Sequence, residues 1–331
     1  MPGELSSVCL FFREIVTFDG SCCDKQQDES SNCIDMNLKL WLIAFGTVFF
    51  SSCSFNSIFL QPQKIPANVR KLTVKSEADT MRIEFSGDGL QPVFYNVKGD
   101  TLKFNYKIEG VCFKGRTGHT LNGWMISPLS EKPVGTILHL HGNAGCVLSQ
   151  YQAMTPLVER GFQAFVWDYS GFGFSEGDAT RSQIINDAND ALTYLKSRSD
   201  VQGLPFLIYG QSLGGHLSAV VAAQRESEID ALVIEGAFSS HKDIAASRIP
   251  LLGRILVKEG YSAMKSIVNF HKPVLVIHST EDEVIPVRFG RKIMEAANEP
   301  KQYFEIKKCH ICGTQFYADE ITSKIKSMIL K

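Results

Sequence analysis

The chain has 331 residues, 44% hydrophobic and 21% charged, an ordinary globular composition with material for one large core and an appendage. With 34 basic against 35 acidic residues the net charge is −1, and no nucleic-acid motif is present, so nucleic acid is excluded as a partner. Nine cysteines, odd in number and unevenly spaced, do not make a disulfide framework.

Residues 1–35 carry seven acids and two bases, a net of −5, with no sustained periodicity. They read as a non-structural extension, with Met36 as an alternative start. Met36-Asn37-Leu38-Lys39 then puts a positive charge ahead of eleven largely apolar residues, 40–50, and Phe50-Ser51-Ser52-Cys53 follows. A short basic start, an apolar run of that length and small residues before a cut site are the parts of a secretory signal, so 36–53 reads as a signal or membrane-targeting segment. Small residues ahead of a cysteine resemble a bacterial lipoprotein signal, which implies lipid on Cys53 and a bacterial cell-envelope location. Two other readings stay open. Residues 40–60 contain no charge and approach the ~20 residues a membrane anchor needs, and a cleaved signal without lipid would give a secreted protein. Residues 54–80, with Pro62 and Pro66 and then mixed Lys, Arg, Ser and Glu, read as a polar tether leading to a domain over 81–331.

From Met81 the pattern turns strand-like. Residues 111–126 form two alternating runs around a turn at Gly118, hence an N-terminal hairpin. The runs 136–140, 164–167, 206–209, 231–234, 274–278 and 303–306 are short and apolar, as buried strands are. Between them lie helical stretches at 151–160 and 181–197; in the second, Ile184, Ile185, Ala188, Ala191, Leu192 and Leu195 share a face. Strands alternating with helices predict an α/β fold with a mostly parallel, doubly wound sheet. Residues 239–270 read either as a lid insertion or as one crossover helix with a long loop.

One motif sits where chemistry would need it. Gly210-Gln211-Ser212-Leu213-Gly214 follows a strand and opens a helix of small and apolar residues. That context lifts a serine hydroxyl clear of the sheet on a tight turn and points helix N-terminal amides at the same spot. A serine nucleophile needs a base, and the base needs a carboxylate to orient it. Asp282, just past the strand 274–278, is the acid by position, with Glu235 at the end of the preceding strand as runner-up. Four histidines lie downstream of the elbow region 205–217: His241, His271, His278 and His310. His278 reads as packed beside the acid loop, whereas His310 follows the last apolar strand and precedes the terminal helix.

Four motifs, His141-Gly142-Asn143-Ala144-Gly145, the loop 168–177 starting at Asp168-Tyr169-Ser170-Gly171, the Ser212 pentapeptide, and 278–286 containing Glu281-Asp282-Glu283, together resemble the α/β-hydrolase superfamily of serine hydrolases. The resemblance is to its lysophospholipase, acyl-thioesterase and peptidase-like branch and covers about residues 108–325. It implies the α/β-hydrolase fold, Ser212, Asp282 and His310 as catalytic residues, and an oxyanion hole from the amides of Leu213 and Asn143, with Ala144 as fallback. His310 departs from the pattern in its setting, Lys308-Cys309-His310-Ile311-Cys312, where the resemblance leads one to expect glycine before it and a small polar residue after. Asp168 and Ser175-Glu176-Gly177 take structural roles in that scheme.

Cys309 and Cys312 have redox or zinc spacing, but one nearby histidine does not complete a ligand set, and two ordinary thiols are the plainer reading. Cys146, beside the oxyanion loop, is a candidate partner of Cys309 in an oxidation switch. No metal or organic cofactor is implied. The expected activity is a serine hydrolase cleaving an ester or thioester through an acyl-enzyme, acting on a small-molecule or lipid acyl substrate near a membrane. A peptidase or amidase with the same three residues, and a non-catalytic envelope binding protein on this scaffold, are the alternatives; oligomeric state is not legible.

Overall fold

The structure, a computed structural model, describes residues 59–75, 80–129 and 132–330. The extension 1–35, the targeting segment 36–53 and the lipidation candidate Cys53 lie outside the described residues.

Eight strands make the main sheet: β1 Tyr106–Lys114, β2 Thr120–Pro128, β3 Thr136–Leu140, β4 Gln163–Trp167, β5 Phe206–Gln211, β6 Ala231–Glu235, β7 Val274–Ser279 and β8 Lys301–Ile306. Their spatial order is β8-β7-β6-β5-β3-β4-β2-β1. Strands β3 to β8 run parallel, while β1 and β2 form the expected antiparallel hairpin at one edge.

The parallel strands are apolar without interruption because both faces are covered. Successive residues feed opposite cores. Leu138, Ile208, Ile234 and Val276 pack on the side of helices α1 Gln183–Ser197, α2 Leu213–Gln224 and α3 Arg288–Ala296. Ile137, Leu207, Val233 and Leu275 pack on the side of helix α4 Ala318–Ile329 and the turns 147–158. The helix expected over 151–160 is split into short turns, with Pro156 in the first turn of the last of them. Proline has no amide hydrogen to continue a hydrogen-bonded run from before it, so the chain restarts there.

Residues 239–270 fold as an insertion of several short helices between β6 and β7, not as one crossover helix. They include His241–Arg248, Leu252–Leu256 and Ala263–Ser266.

The tether reading of 54–80 fails for its described part. Gln61–Pro62 pairs in parallel with Ala144–Gly145, and Lys71–Lys75 is one strand of a three-stranded antiparallel sheet with Thr80–Ser86 and Gln91–Tyr95. The reason is apolar burial between polar neighbours. Leu60 is 2% exposed within the main core, and Leu72 and Val74 pack against the second. Among the described residues no helix is long and apolar enough to cross a membrane.

Candidate active site

Ser212 stands between the end of β5 and the start of α2 with φ 56° and ψ −117°, a left-handed conformation that non-glycine residues rarely adopt. The flanking glycines make the turn possible by close approach. A Cβ on Gly214 would lie 1.9 Å from the Leu140 carbonyl oxygen, and one on Gly210 would lie 2.3 Å from the Gly214 oxygen. Backbone on both sides leaves no flexible end to yield. Gly214→Ala is therefore expected to cost at least the ~1–3 kcal/mol of an overpacked core, read as a lowered Tm; an unchanged Tm would show that the turn can relax.

The loops after β7 and β8 bring two more side chains to the serine. His310 Nε2 lies 3.0 Å from Ser212 Oγ, and His310 Nδ1–H donates to Asp282 Oδ2 at 2.6 Å. Asp282 Oδ1 accepts the Val284 and Ile285 amides at 2.9 and 2.8 Å, and His278 Nε2 lies 3.4 Å from Oδ2 while hydrogen-bonding the Ile285 carbonyl. Burial alone would raise the Asp282 carboxyl. Hydrogen bonds from His278 and His310, the His310 interaction and the Ile285 amide outweigh it and hold the group well below the usual carboxylate range. An ionised carboxylate fixes the imidazole with Nδ1 protonated and Nε2 open toward the serine hydroxyl, the state in which a histidine can take a proton from oxygen.

Two backbone segments border the same spot. Leu213 is the first residue of α2 and has no carbonyl one turn back to which its N–H could donate. Gly142 approaches Ser212 closely enough that a Cβ there would sit 3.6 Å from the serine Cβ. The Gly142 carbonyl is held by His141 Nδ1–H at 2.8 Å, which turns the trans-related Asn143 N–H the opposite way. The Asn143 carbonyl accepts the Gln61 amide at 2.8 Å, so the orientation of the Ala144 amide is also set from the N-terminal segment.

His141 is fully buried, and burial, with His139 beside it, pushes its imidazole down to about 3, so it is neutral. Its Nε2 and Asp168 Oδ2 are both buried without a hydrogen-bond partner. Burial pushes the Asp168 carboxyl up to about 8, against the hydrogen bond from the Val147 amide at 2.7 Å. A carboxyl that holds its proton more tightly when folded favours the fold most at low pH. That contribution falls as pH rises from the ordinary ~3.9 through the raised folded value. Asp168→Asn keeps an oxygen for Val147 and cannot ionise, so its Tm relative to wild type is expected to rise between about pH 5 and pH 9. A flat difference would mean that Asp168 does not titrate there.

Glu235, the runner-up acid, does not touch His310 Nδ1, which goes to Asp282. It is 1% exposed and accepts from Tyr209 Oη at 2.9 Å, Gln211 Nε2 at 2.7 Å and the Gly313 amide at 2.6 Å. Gln211 in turn donates to the Ile311 carbonyl at 3.2 Å and accepts from His139 Nε2 at 3.0 Å. This buried network ties the loop carrying His310 to the strands beneath it, and Gly236 makes room, since a Cβ there would lie 3.1 Å from His310 Cε1. Of its members, the motif gave only Gln211 a place next to the serine, and a polar residue at the end of an apolar strand was the available signal. The other downstream histidines stand elsewhere: His241 is buried in the insertion, and His271 faces Glu226 on the surface.

Among the described residues no group of three or more His, Cys, Asp or Glu side chains could hold a metal ion. Cys312 Sγ–H donates to the Cys309 carbonyl at 3.0 Å. Burial, reinforced by Asp168, pushes the Cys146 thiol up to about 12, which disfavours the thiolate an oxidation switch would need.

Comparison with known proteins agrees with the fold. Residues 131–267, which include Ser212, match the serine aminopeptidase S33 family. The uncharacterised protein YfhR of Salmonella typhi is 37% identical over 208 residues, covering 59% of this chain and 71% of that protein. The α/β-hydrolase domain-containing protein WAV2 of Arabidopsis thaliana is 27% identical over 199 residues, covering 56% and 65% respectively. Among solved structures, the Pyrococcus furiosus esterase Pf2001 superposes with a TM-score of 0.55 at 19% identity, over 68% of this chain and 91% of that one. At that identity the likeness speaks to the fold alone.

Proposed function

Because this chain belongs to the α/β-hydrolase superfamily, we propose that it is a serine hydrolase cleaving a carboxylic ester or thioester through an acyl-enzyme. The observation that carries the reading is the continuous relay from Ser212 Oγ to His310 Nε2 and from His310 Nδ1 to Asp282 Oδ2.

In this reading Ser212 Oγ attacks the carbonyl carbon while its proton passes to His310 Nε2. The oxygen of the tetrahedral intermediate takes its negative charge toward the Leu213 and Asn143 amides, each such donor being worth ~10²–10³ in rate. Collapse expels the alkoxide or thiolate, which takes the proton from His310. Water then enters, gives its proton to the freed Nε2 and attacks the acyl-serine, and the acid product leaves as Ser212 regains its proton. Asp282 stays ionised throughout and holds the imidazole.

The match to a peptidase family supports a second reading, an aminopeptidase or amidase with the same residues. Turnover of p-nitrophenyl acyl esters and acyl thioesters, set against aminoacyl anilides, separates the two. Esters and thioesters turned over with anilides inert is the expected result; anilide turnover comparable to that of the esters would replace it with the second reading.

Membrane attachment through the uncharged residues 40–58, which precede the buried Phe59 and Leu60, belongs to the same proposal, with an acylated substrate as its corollary. Fractionation with intact-mass analysis tests it, and a chain starting at Met1 that stays in the soluble fraction would sink it.

A further inference from the structure

The insertion carries the main apolar exposure of the described structure. Of the eleven large hydrophobic side chains that are exposed among the described residues, five fall within residues 249–256: Ile249, Leu251, Leu252, Ile255 and Leu256, from 41% to 75% exposed. Soluble proteins scatter such side chains singly, and a contiguous cluster marks an interaction surface. The segment is not loosely attached. Gly253 is buried so close to the helix His241–Arg248 that a Cβ would meet the Ala245 carbonyl oxygen at 2.4 Å, and Val257 is buried at the other end. With those two points anchored inward, the leucines and isoleucines face out. Leu251 sits at φ 65° and ψ −60° with the Leu252 amide bonded to the Pro250 carbonyl at 2.8 Å, a strained γ-turn that puts the most exposed leucine at the tip.

Two further observations say what covers it. Residues 239–270 hold five bases (Lys242, Arg248, Arg254, Lys258 and Lys265) against two acids, a local excess of +3 in a chain of net −1. All five basic side chains are exposed. The chain also enters the described structure at the base of the insertion, beside His241 and, through Arg181, Lys258. The Phe59 ring packs edge-on against His241 with centroids 4.8 Å apart, and Arg181, which lies over Phe59, donates to the Lys258 carbonyl at 2.7 Å. The residues leading up to that entry point are the uncharged run 40–58.

We propose that the apolar tip 249–256 and its surrounding bases form a docking surface for an anionic lipid bilayer. Apolar side chains enter the acyl boundary while lysine and arginine remain at the headgroups, the arrangement of an interfacial amphipathic element. The surface adjoins the acid loop, since Arg248 Nη2 donates to the Val284 carbonyl at 2.7 Å, two residues past Asp282. Docking thus sets the rim of the candidate site against the lipid. The inference deepens the membrane-attached reading and rests on attachment, not on hydrolysis.

The test uses the full chain with Trp41→Phe, which leaves the fully buried Trp124 and Trp167 as background, and Ile255→Trp as reporter. Vesicles of phosphatidylglycerol and phosphatidylcholine with brominated acyl chains should shift the indole emission to the blue and quench it. Arg254→Gln with Lys258→Gln should weaken docking on the order of 25-fold, about fivefold per base. Raising salt from ~0.1 to ~1 M should weaken it too, because the screening length falls from ~10 to ~3 Å. Co-sedimentation with the vesicles reports attachment separately, and neither readout needs turnover. Co-sedimentation without quenching would overturn docking and leave attachment standing. Absence of both would overturn the two together. A blue-shifted indole before vesicles are added would mean that protein covers the tip, residues 1–58 if the shift is independent of concentration and a second copy if it is not. Equal quenching in neutral vesicles would overturn the role of charge.

Discussion

Ser212→Ala is expected to abolish labelling by a fluorophosphonate probe and to cut ester turnover on the order of 10⁶-fold, the scale seen when an activated serine nucleophile is removed. The residue is 8% exposed and contributes one hydroxyl, so no cavity forms and the protein should remain folded by circular dichroism. Alanine inherits the left-handed backbone that serine already occupies, so the strain of the turn is carried over. His310→Ala should lose labelling too, because without the imidazole at 3.0 Å nothing takes the serine proton. Persistent labelling of folded Ser212→Ala would move the nucleophile elsewhere and end the reading proposed here.

Asp282→Asn should cost ~10⁴ in turnover with little change in structure. An amide offers a donor as well as an acceptor to His310 Nδ1, so it no longer enforces the tautomer that leaves Nε2 open. The effect on stability has a definite sign. A carboxylate held below its ordinary range stabilises the fold above the unfolded value of ~3.9, and that contribution is lost as pH falls through the lower folded value. Asp282→Asn should therefore be less stable than wild type at neutral pH, with the gap closing in acid. For the same reason any acid limb of the pH–rate profile above the ordinary carboxylate range does not arise from Asp282. Glu235→Gln is the control. It puts an amide donor where three donors now converge, so a Tm loss equivalent to ~1–3 kcal/mol is expected from the unsatisfied group, with turnover affected far less than in Asp282→Asn. The reverse ranking would exchange the two carboxylates in the scheme.

The parallel strands were legible because burial on two faces forces unbroken runs of Ile, Leu and Val, which only a few positions in a chain can hold. The elbow was legible because its geometry admits almost nothing but glycine at 210 and 214. His310 could be found from chain order even in its unusual Cys-His-Ile-Cys setting, since the loop after β8 is where the fold delivers its last side chain. Other features depend on pairings that local pattern does not encode. The two-residue match of Gln61–Pro62 with Ala144–Gly145 spans 83 positions and has no periodicity to read. Lys71–Lys75 does alternate, Lys-Leu-Thr-Val-Lys, but its charged surroundings outweighed a five-residue signal. Glu235 showed itself only as a carboxylate at a strand end; its partners at Gly313 and, through Gln211, Ile311 are backbone groups, which side-chain identity does not announce.

The pairing of Gln61 with the Asn143 carbonyl has a mechanical side. The strand that braces the candidate oxyanion loop is among the first described residues of the chain, just after the segment proposed to enter a bilayer. Tension on that segment would be delivered at Leu60 and Gln61 and borne by the bonds that orient the Ala144 peptide. Trimming the N-terminus back to Met81 would therefore do more than release the protein from a membrane. It would unseat one wall of the candidate site, so that a soluble remnant and a crippled one would be the same molecule.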